Sequence, residues 1–194
     1  QLIARTVREL GVYCEIIPGT CSVDRIKSSK VRALILSGGP ASVRTEGSPR
    51  IAKEILDLGL PMFGICYGMQ LLAQDLGGEV SGWGVDAVRG EAKAGGGDGM
   101  REFGSAKVRI ENPVGPFRHF AKGEELAVWM SHGDKVTGCP AGFVGVASSN
   151  GSPIAAFANE KAKIYGVQFH PEVHHTPRGK ELLKTFIFDV AGIE

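Results

Sequence analysis

Two short apolar runs, ALIL at 33–36 and PMFGIC at 61–66, limit most strongly what this chain can fold into. Each has the length of a strand and is apolar on both alternating faces, and helical spacing precedes or follows it, as in PRIAKEILDLG at 49–59 and YGMQLLAQDLGG at 67–78. Strands buried on both faces belong to parallel sheets that helices cover. The pattern predicts an α/β fold, an open and mostly parallel doubly wound sheet with helices on both faces.

The segments on either side of these runs contain further predicted strands and a closing helix. VYCEII at 12–17 is predicted as a further short strand, and the second half of the chain contains LAVWM, FVGVAS, PIAAFA and KIYGVQF, which have strand character without intervening helices. We therefore expect a small antiparallel β extension beside the parallel sheet. The closing stretch at 176–192 has the spacing of an amphipathic helix. With no internal repeat, residues 1–194 are predicted to form a single domain.

The composition argues against several classes of function. The chain has 22 Lys and Arg against 21 Asp and Glu, a net charge of +1, so we expect neither a nucleic-acid nor a membrane partner. No apolar run is long enough to cross a bilayer, and no signal-peptide pattern opens the sequence. The four cysteines show no CxxC spacing, which predicts free thiols and a cytoplasmic location. Three of them are expected to be structural: Cys14, Cys21 and Cys139.

The fourth cysteine lies in GICYG at 64–68, between a predicted strand and a predicted helix. This G-x-C-x-G pattern has the form of a nucleophile elbow, in which small residues permit a sharp turn that presents the nucleophile at the carboxyl end of a strand. The following helix N-terminus favours a thiolate. Cys66 is therefore predicted to be a catalytic nucleophile.

A thiol nucleophile needs a base and a group that orients the base. In QFHPEVHH at 168–175, His170 and Glu172 share one face if the segment is extended, so Glu172 can orient the imidazole. A zinc site is the alternative, because His170, Glu172 and His174 also alternate and could supply three ligands. The cysteine elbow favours the catalytic triad.

An acyl-transfer site also needs donors for an oxyanion. The loop SGGP at 37–40 ends an apolar run, and Gly38 and Gly39 would let backbone N–H groups approach a ligand closely. The N–H of Tyr67 follows the nucleophile and could be the second donor. Gln70 lies four residues after Cys66 on the same helical face, where its amide could bind a polar substrate.

Together, SGGP, GICYGMQLL and GVQFHPEV resemble the class I, or triad-type, glutamine amidotransferases, whose fold is flavodoxin-like. The resemblance covers nearly the whole chain. It implies that Cys66 is the nucleophile, His170 the acid and base, and Glu172 the orienting residue. It also implies an oxyanion hole and a glutamine-binding set, namely Gly38, Gly39 and Tyr67 for the first, and Gln70 with the backbone of Ser131, Gly133 and Asp134 for the second.

Within that family, VRELGVYCEI, SGGPASV, REFG and WMSHGDKV are most similar to the glutaminase part of the GMP synthases. This implies that glutamine is hydrolysed and that its ammonia aminates xanthosine monophosphate on an ATP-dependent synthetase domain or subunit. No cofactor or metal is then expected in this chain, since ATP and Mg²⁺ would bind the partner. His132, Asp134 and Lys135 are the expected contacts with that partner.

The sequence departs from the family pattern in three respects: it opens inside the first helix, where the family has a preceding strand; residues at about 81–100 have the character of an insertion; and nothing in these 194 residues is expected to supply the ATP-handling half. Four alternatives stay open at this point. They are the glutaminase of anthranilate, carbamoyl phosphate or CTP synthesis, a γ-glutamyl peptidase on the same fold, the zinc hydrolase above, and a non-catalytic regulatory module.

Overall fold

A computed structural model describes residues 1–82 and 102–194. The predicted insertion at about 81–100 therefore lies almost wholly outside the described residues. The helices in the described part are α1 (Leu2–Glu9), α2 (Val23–Ser28), α3 (Lys53–Leu56), α4 (Tyr67–Asp75) and α5 (Gly179–Thr185), with a 3₁₀ turn at Gly115–Phe117 and a π-helical turn at Phe186–Val190. The strands are β1 (Leu34–Leu36), β2 (Met62–Ile65), β3 (Glu79–Ser81), β4 (Glu102–Ile110), β5 (Glu125–His132), β6 (Lys135–Gly138), β7 (Val144–Ser148), β8 (Ala156–Asn159) and β9 (Ile164–Val167).

Seven of the described strands form one sheet in the order β1-β2-β9-β8-β7-β4-β5, and β3 pairs with β6 in a small separate sheet. The strands β1, β2 and β9 are parallel, whereas the pairings from β9 through β8, β7 and β4 to β5 are antiparallel. The predicted α/β class is confirmed. The antiparallel part is larger than the small extension that we expected, because it continues the main sheet over four strands.

Helices cover both faces of the parallel part, as predicted. All four residues of β2 are buried, and alternate residues pack on opposite sides. Phe63 packs beside Phe186 of the π-helical turn, with ring centroids 5.3 Å apart. Met62 packs on the opposite side of the sheet, in a hydrophobic cluster that contains Met69 of α4 and residues of α2 and α3. Burial on both faces explains why the run PMFGIC has no polar alternation.

Three predicted elements are shorter or absent in the structure. Residues 12–17 form no strand. A strand needs a hydrogen-bonded neighbour, and among the described residues β1 pairs only with β2, so the segment at 12–17 has no partner at that edge of the sheet. The helix predicted over 49–59 is reduced to Lys53–Leu56, and the closing helix becomes π-helical after Thr185. Within the described part of the chain, no helix has the length and apolar character needed to span a membrane.

Candidate active site

The nucleophile elbow is present between β2 and α4. Cys66 has φ 53° and ψ −107°, a conformation that is rare for a residue with a side chain and is typical of strained functional positions. The flanking glycines make the turn possible. A Cβ at Gly68 would lie 2.2 Å from the carbonyl oxygen of Leu36, and a Cβ at Gly64 would lie 2.7 Å from the backbone of Gly68. The G-x-C-x-G spacing therefore follows from close backbone packing of α4 on β1 and β2.

The backbone of Cys66 is held from both sides. Its N–H donates to the carbonyl oxygen of Val167 in β9 at 2.8 Å, and its own carbonyl accepts from the N–H of Gln70 at 3.1 Å. The side chain is 4% exposed and lies at the N-terminus of α4, where the helix dipole favours negative charge. The structure thus places the sulfur at the carboxyl end of the parallel strands, which is where ligands bind in open α/β sheets.

The two other residues of the predicted triad are in contact. His170 Nδ1 lies 2.7 Å from Glu172 Oε1, and the backbone N–H of His170 donates to the carbonyl oxygen of Trp129 at 3.0 Å. Hydrogen bonding with Cys66, and then with Glu172, raises the pKa of His170 from 6.5 to about 10, although burial opposes this. Together these partners favour an imidazolium beside the Cys66 sulfur. The other carboxylate oxygen, Glu172 Oε2, is buried without a hydrogen-bond partner among the described residues.

The loop SGGP approaches this pair closely. A Cβ at Gly38 would lie 3.0 Å from His170 Cε1 and 3.5 Å from Cys66 Cβ, so a larger residue would press on the imidazole. Tyr67 is the first residue of α4, and a first-turn N–H has no acceptor within its own helix. These positions suit the expected oxyanion hole. A role for Gly38, Gly39 and Tyr67 as donors stays a prediction.

The turn between β5 and β6 forms another wall of the site. The carbonyl oxygen of Ser131 lies 3.6 Å from Cys66 Sγ and accepts its hydrogen bond. Gln70 Nε2 donates to the carbonyl oxygen of Asp134 at 3.0 Å, and Ser42 Oγ donates to the Asp134 carboxylate. The residues expected to bind glutamine, including Gly133 between Ser131 and Asp134, are therefore brought together beside Cys66. Their binding role stays a prediction.

The burial of His132 does not support its expected contact with a partner. His132 is 6% exposed, its Nδ1 lies 2.8 Å from the carbonyl oxygen of Asp134, and its Nε2 lies 3.0 Å from Glu102 Oε2. Both ring nitrogens are therefore engaged inside the chain, and the side chain presents little surface to a docking partner. The polar sequence SHGDK suggested a surface loop, but His132 is the inward-facing residue at the end of β5. Contacts through Asp134 and Lys135 stay predictions.

The zinc alternative is not supported by the geometry. His174 is exposed and its ring lies 3.8 Å, centroid to centroid, from that of His175. It therefore does not join His170 and Glu172. Across residues 1–82 and 102–194, no three His, Cys, Asp or Glu side chains are grouped so that they could hold a metal ion.

Sequence reasoning missed three polar residues that support the site. Gln168 and Thr176 are 0% and 4% exposed, and Glu102 accepts hydrogen bonds from His132, Ser149, Gly151 and Ser152. A signal was available for Gln168, which is two residues before His170 and shares its face if the segment is extended. No comparable local signal exists for Glu102.

A family model and known proteins agree with this geometry. The family model described as "Glutamine amidotransferase class-I" matches residues 1–190. The chain is 46% identical over 196 residues to the GMP synthase [glutamine-hydrolyzing] of Corynebacterium glutamicum (strain R), and 47% identical over 194 residues to that of Clostridium novyi (strain NT). All of this chain is covered, but only 34% and 35% of those relatives. The chain thus spans about a third of the length of the curated relatives it matches.

Solved structures show the same fold. The crystal structure of a protein assigned as a GMP synthase subunit, from Thermoplasma acidophilum, has a TM-score of 0.78 and 28% sequence identity, and the match covers 99% of this chain and 87% of that one. A glutamine amido transferase from Methylobacillus flagellatus has a TM-score of 0.62 at 19% identity, over 89% of this chain and 66% of that one. With the family match over residues 1–190, these findings show that the chain belongs to the class-I glutamine amidotransferase family.

Proposed function

We propose that this chain hydrolyses glutamine to glutamate and ammonia, with Cys66 as the nucleophile, His170 as the acid and base, and Glu172 as the residue that orients His170. The observation that carries the proposal is the 2.7 Å contact between His170 Nδ1 and Glu172 Oε1 beside a cysteine on a strained elbow. That contact fixes the ring so that its other nitrogen is free to exchange a proton with sulfur and substrate.

In the first half of the reaction, His170 holds the proton of Cys66, and the thiolate attacks the carboxamide carbon of glutamine. The carbonyl oxygen becomes an oxyanion, for which we propose the N–H of Tyr67 and the SGGP backbone as donors. One such donor is worth roughly 3–4 kcal/mol of transition-state stabilisation. The carbon–nitrogen bond then breaks as His170 donates its proton to the leaving nitrogen, which releases ammonia and leaves a γ-glutamyl thioester on Cys66.

In the second half, neutral His170 takes a proton from water while the water oxygen attacks the thioester carbon. The carbon–sulfur bond breaks, glutamate leaves, and the thiolate–imidazolium pair is restored. Glu172 stabilises the imidazolium that is present at the start of the first half-reaction and is formed again in the second, because its carboxylate is within hydrogen-bonding distance of Nδ1.

We also propose that the ammonia aminates xanthosine monophosphate to GMP on an ATP-dependent synthetase domain or subunit. Two observations support this. The relatives are named GMP synthase [glutamine-hydrolyzing], and this chain corresponds to about a third of their length. ATP and Mg²⁺ would act on the synthetase part, since no step of the proposed hydrolysis of glutamine requires them.

Assays of glutamate and ammonia release test the first proposal. Cys66→Ala should abolish glutamine hydrolysis and leave the fold intact by circular dichroism, whereas Cys139→Ala should retain activity. Cys139 is a suitable control because burial raises the pKa of its thiol and it directly follows β6, outside the elbow. Hydrolysis of glutamine at the wild-type rate by Cys66→Ala would contradict the proposal. Preferential cleavage of γ-glutamyl peptides over glutamine would reassign the substrate.

The synthetase proposal needs a separate assay. The chain is combined with an ATP-dependent GMP synthetase part, xanthosine monophosphate and Mg·ATP. Glutamine-dependent GMP formation should then appear and should be lost with Cys66→Ala, while ammonium chloride restores it. Absence of glutamine-dependent GMP from an otherwise active mixture would count against this assignment.

A further inference from the structure

One buried polar side chain contacts the nucleophile and has no place in the mechanism above. Gln168 is 0% exposed, and its Nε2 lies 3.6 Å from Cys66 Sγ, with the amide N–H as donor. A buried amide that donates to sulfur is a specific arrangement, since buried polar groups are costly unless they are hydrogen-bonded.

The backbone after β9 explains how Gln168 reaches the sulfur. In an extended segment successive side chains alternate between faces. Phe169 is 0% exposed and packs in the hydrophobic core, so Gln168 and His170 on either side of it point toward Cys66. One short segment thus carries both the acid–base residue and a second group that touches the nucleophile.

Besides His170, two groups contact the sulfur, and each suits a different protonation state of Cys66. The carbonyl oxygen of Ser131 accepts a hydrogen bond, so it suits only the protonated thiol. The Nε2 of Gln168 is a donor, and a donor binds an anionic acceptor more strongly than a neutral one. When His170 takes the proton, the contact with Ser131 is lost and the contact with Gln168 is strengthened.

A hydrogen bond to the amide oxygen sets the orientation of the Gln168 side chain. Gln168 Oε1 accepts from Gln70 Nε2 at 3.3 Å, and Gln70 Nε2 also donates to the carbonyl oxygen of Asp134. Because an amide has its donor and acceptor at opposite ends, a donor held at Oε1 leaves Nε2 directed at the sulfur. Gln70 therefore fixes the side of Gln168 that faces Cys66.

We propose that Gln168 is a catalytic residue that donates a hydrogen bond to the Cys66 thiolate and stabilises it between turnovers, with Gln70 holding its amide in the donating orientation. This rests on the proposed role of Cys66 as nucleophile. It adds to the triad a neutral donor that acts on the sulfur itself. A residue with a purely packing role would affect only stability, so the reactivity of the thiol separates the two roles.

The test uses the full chain with Gln168→Met, which keeps the length of the side chain and removes the donor. We expect alkylation of Cys66 by iodoacetamide at neutral pH to slow by about 10-fold or more, the range for losing a hydrogen bond to a charged group. The alkylation rate should approach that of the wild type at high pH, where the thiolate forms without help. The kcat for glutamine should fall more than KM rises. Mass spectrometry of the peptide containing Cys66 gives the rate.

Gln168→Glu is the second variant, since it preserves the shape and an oxygen for Gln70 but places a negative charge beside the sulfur. It should slow alkylation further than Gln168→Met, and it serves the test if the methionine variant does not fold. The matched control is Gln74→Met on the exposed side of α4, which should alkylate and turn over like the wild type.

Folded Gln168 variants with the wild-type alkylation profile would overturn the inference, even if their thermal stability is reduced. That result leaves the proposed triad intact provided that alkylation of Cys66 still abolishes glutamine hydrolysis. If instead hydrolysis survives both Cys66→Ala and alkylation, the proposed function itself fails.

Discussion

The backbone N–H of Cys66 donates to the carbonyl oxygen of Val167 at 2.8 Å, directly beyond the last paired residues of the parallel β2–β9 ladder. This hydrogen bond links the proposed nucleophile to the strand that leads into His170. Because parallel ladders have a fixed register, the separation of the sulfur and the imidazole is set by backbone pairing and needs no flexible loop. A slip of one residue would turn His170 away from Cys66.

The antiparallel half of the sheet anchors the segment that follows β9 and carries two residues of the proposed triad, His170 and Glu172. The N–H of His170 donates to the carbonyl oxygen of Trp129 in β5, and Thr176 Oγ1 donates to the carbonyl oxygen of His170 at 2.7 Å. Both the N–H and the C=O of the residue carrying the imidazole are therefore anchored. Catalytic groups held on rigid elements in this way keep their geometry without substrate.

Gly38→Ala should reduce glutamine hydrolysis by about 10-fold or more with little loss of stability. The new Cβ would lie 3.0 Å from His170 Cε1, so the imidazole must shift by a few tenths of an ångström, and small misplacements of catalytic groups are costly. Steady-state kinetics and thermal melting measure the two effects. Gly145→Ala is the control, because its Cβ has no atom within 4 Å. Unchanged kcat in Gly38→Ala would show that the SGGP loop tolerates a methyl group beside the imidazole.

Thr176→Val should lower the unfolding free energy by about 1–3 kcal/mol, the cost of leaving buried backbone groups unpaired. The hydroxyl of Thr176 accepts from the N–H of Trp129 at 2.9 Å and donates to the carbonyl oxygen of His170, and the side chain is 4% exposed. Urea unfolding measures the change, and kcat should fall as His170 loses an anchor. Thr176→Ser keeps the hydroxyl and should lie near the wild type. Equal losses in both variants would assign the effect to packing by the methyl group.

The core of the site could be predicted because its signals are local in sequence. The glycines around Cys66 are two residues away on each side, and Glu172 is two residues after His170, so elbow and alternation can both be read from short windows. The strands ALIL and PMFGIC were recognisable from their continuous apolar character, although only β2 is fully buried and β1 is half-buried. These features depend on backbone geometry over a few residues.

The remaining features depend on pairing between distant segments. Glu102 meets His132 across the β4–β5 ladder and meets Ser149 and Ser152 from a loop almost 50 residues away, so only the register brings them together. The burial of His132 was missed for the same reason. Residues 12–17 have strand character but no pairing strand among the described residues, and propensity alone does not make a strand.

The stability of the chain should decrease as the pH rises above neutral, in part because of His170. Its pKa is raised in the folded state from 6.5 to about 10, so its stabilising contribution is complete below about pH 6.5 and is lost as the pH rises through about 10. Glu172→Gln removes one cause of the raised pKa and should flatten this decline. Urea midpoints measured across this window test the prediction. His174→Gln, at an exposed site, should follow the wild type, and parallel curves for all three proteins would contradict it.

Glu102→Gln should destabilise the chain at neutral pH, and the difference from the wild type should shrink in acid. Burial tends to raise the pKa of Glu102, but hydrogen bonds from His132, Ser152 and Ser149 outweigh it and hold the value at about 2, below the usual 4.5. The stabilisation is thus present above about pH 4.5 and is lost as the pH falls through about 2. We expect a loss of about 1.5–3 kcal/mol at neutral pH, as for hydrogen bonds to charged groups.

The control for Glu102→Gln is Glu111→Gln, whose carboxylate is exposed and accepts from Ser148 at 2.6 Å. This variant should lose little stability at any pH, because an exposed carboxylate exchanges its hydrogen bond for water.

Since Glu102 holds His132, and His132 contacts the carbonyl oxygen of Asp134 at 2.8 Å, Glu102→Gln should also raise KM for glutamine by loosening the turn between β5 and β6. Equal stability losses in the two variants, or an unchanged KM with reduced stability, would show that the buried carboxylate does not position the turn beside Cys66.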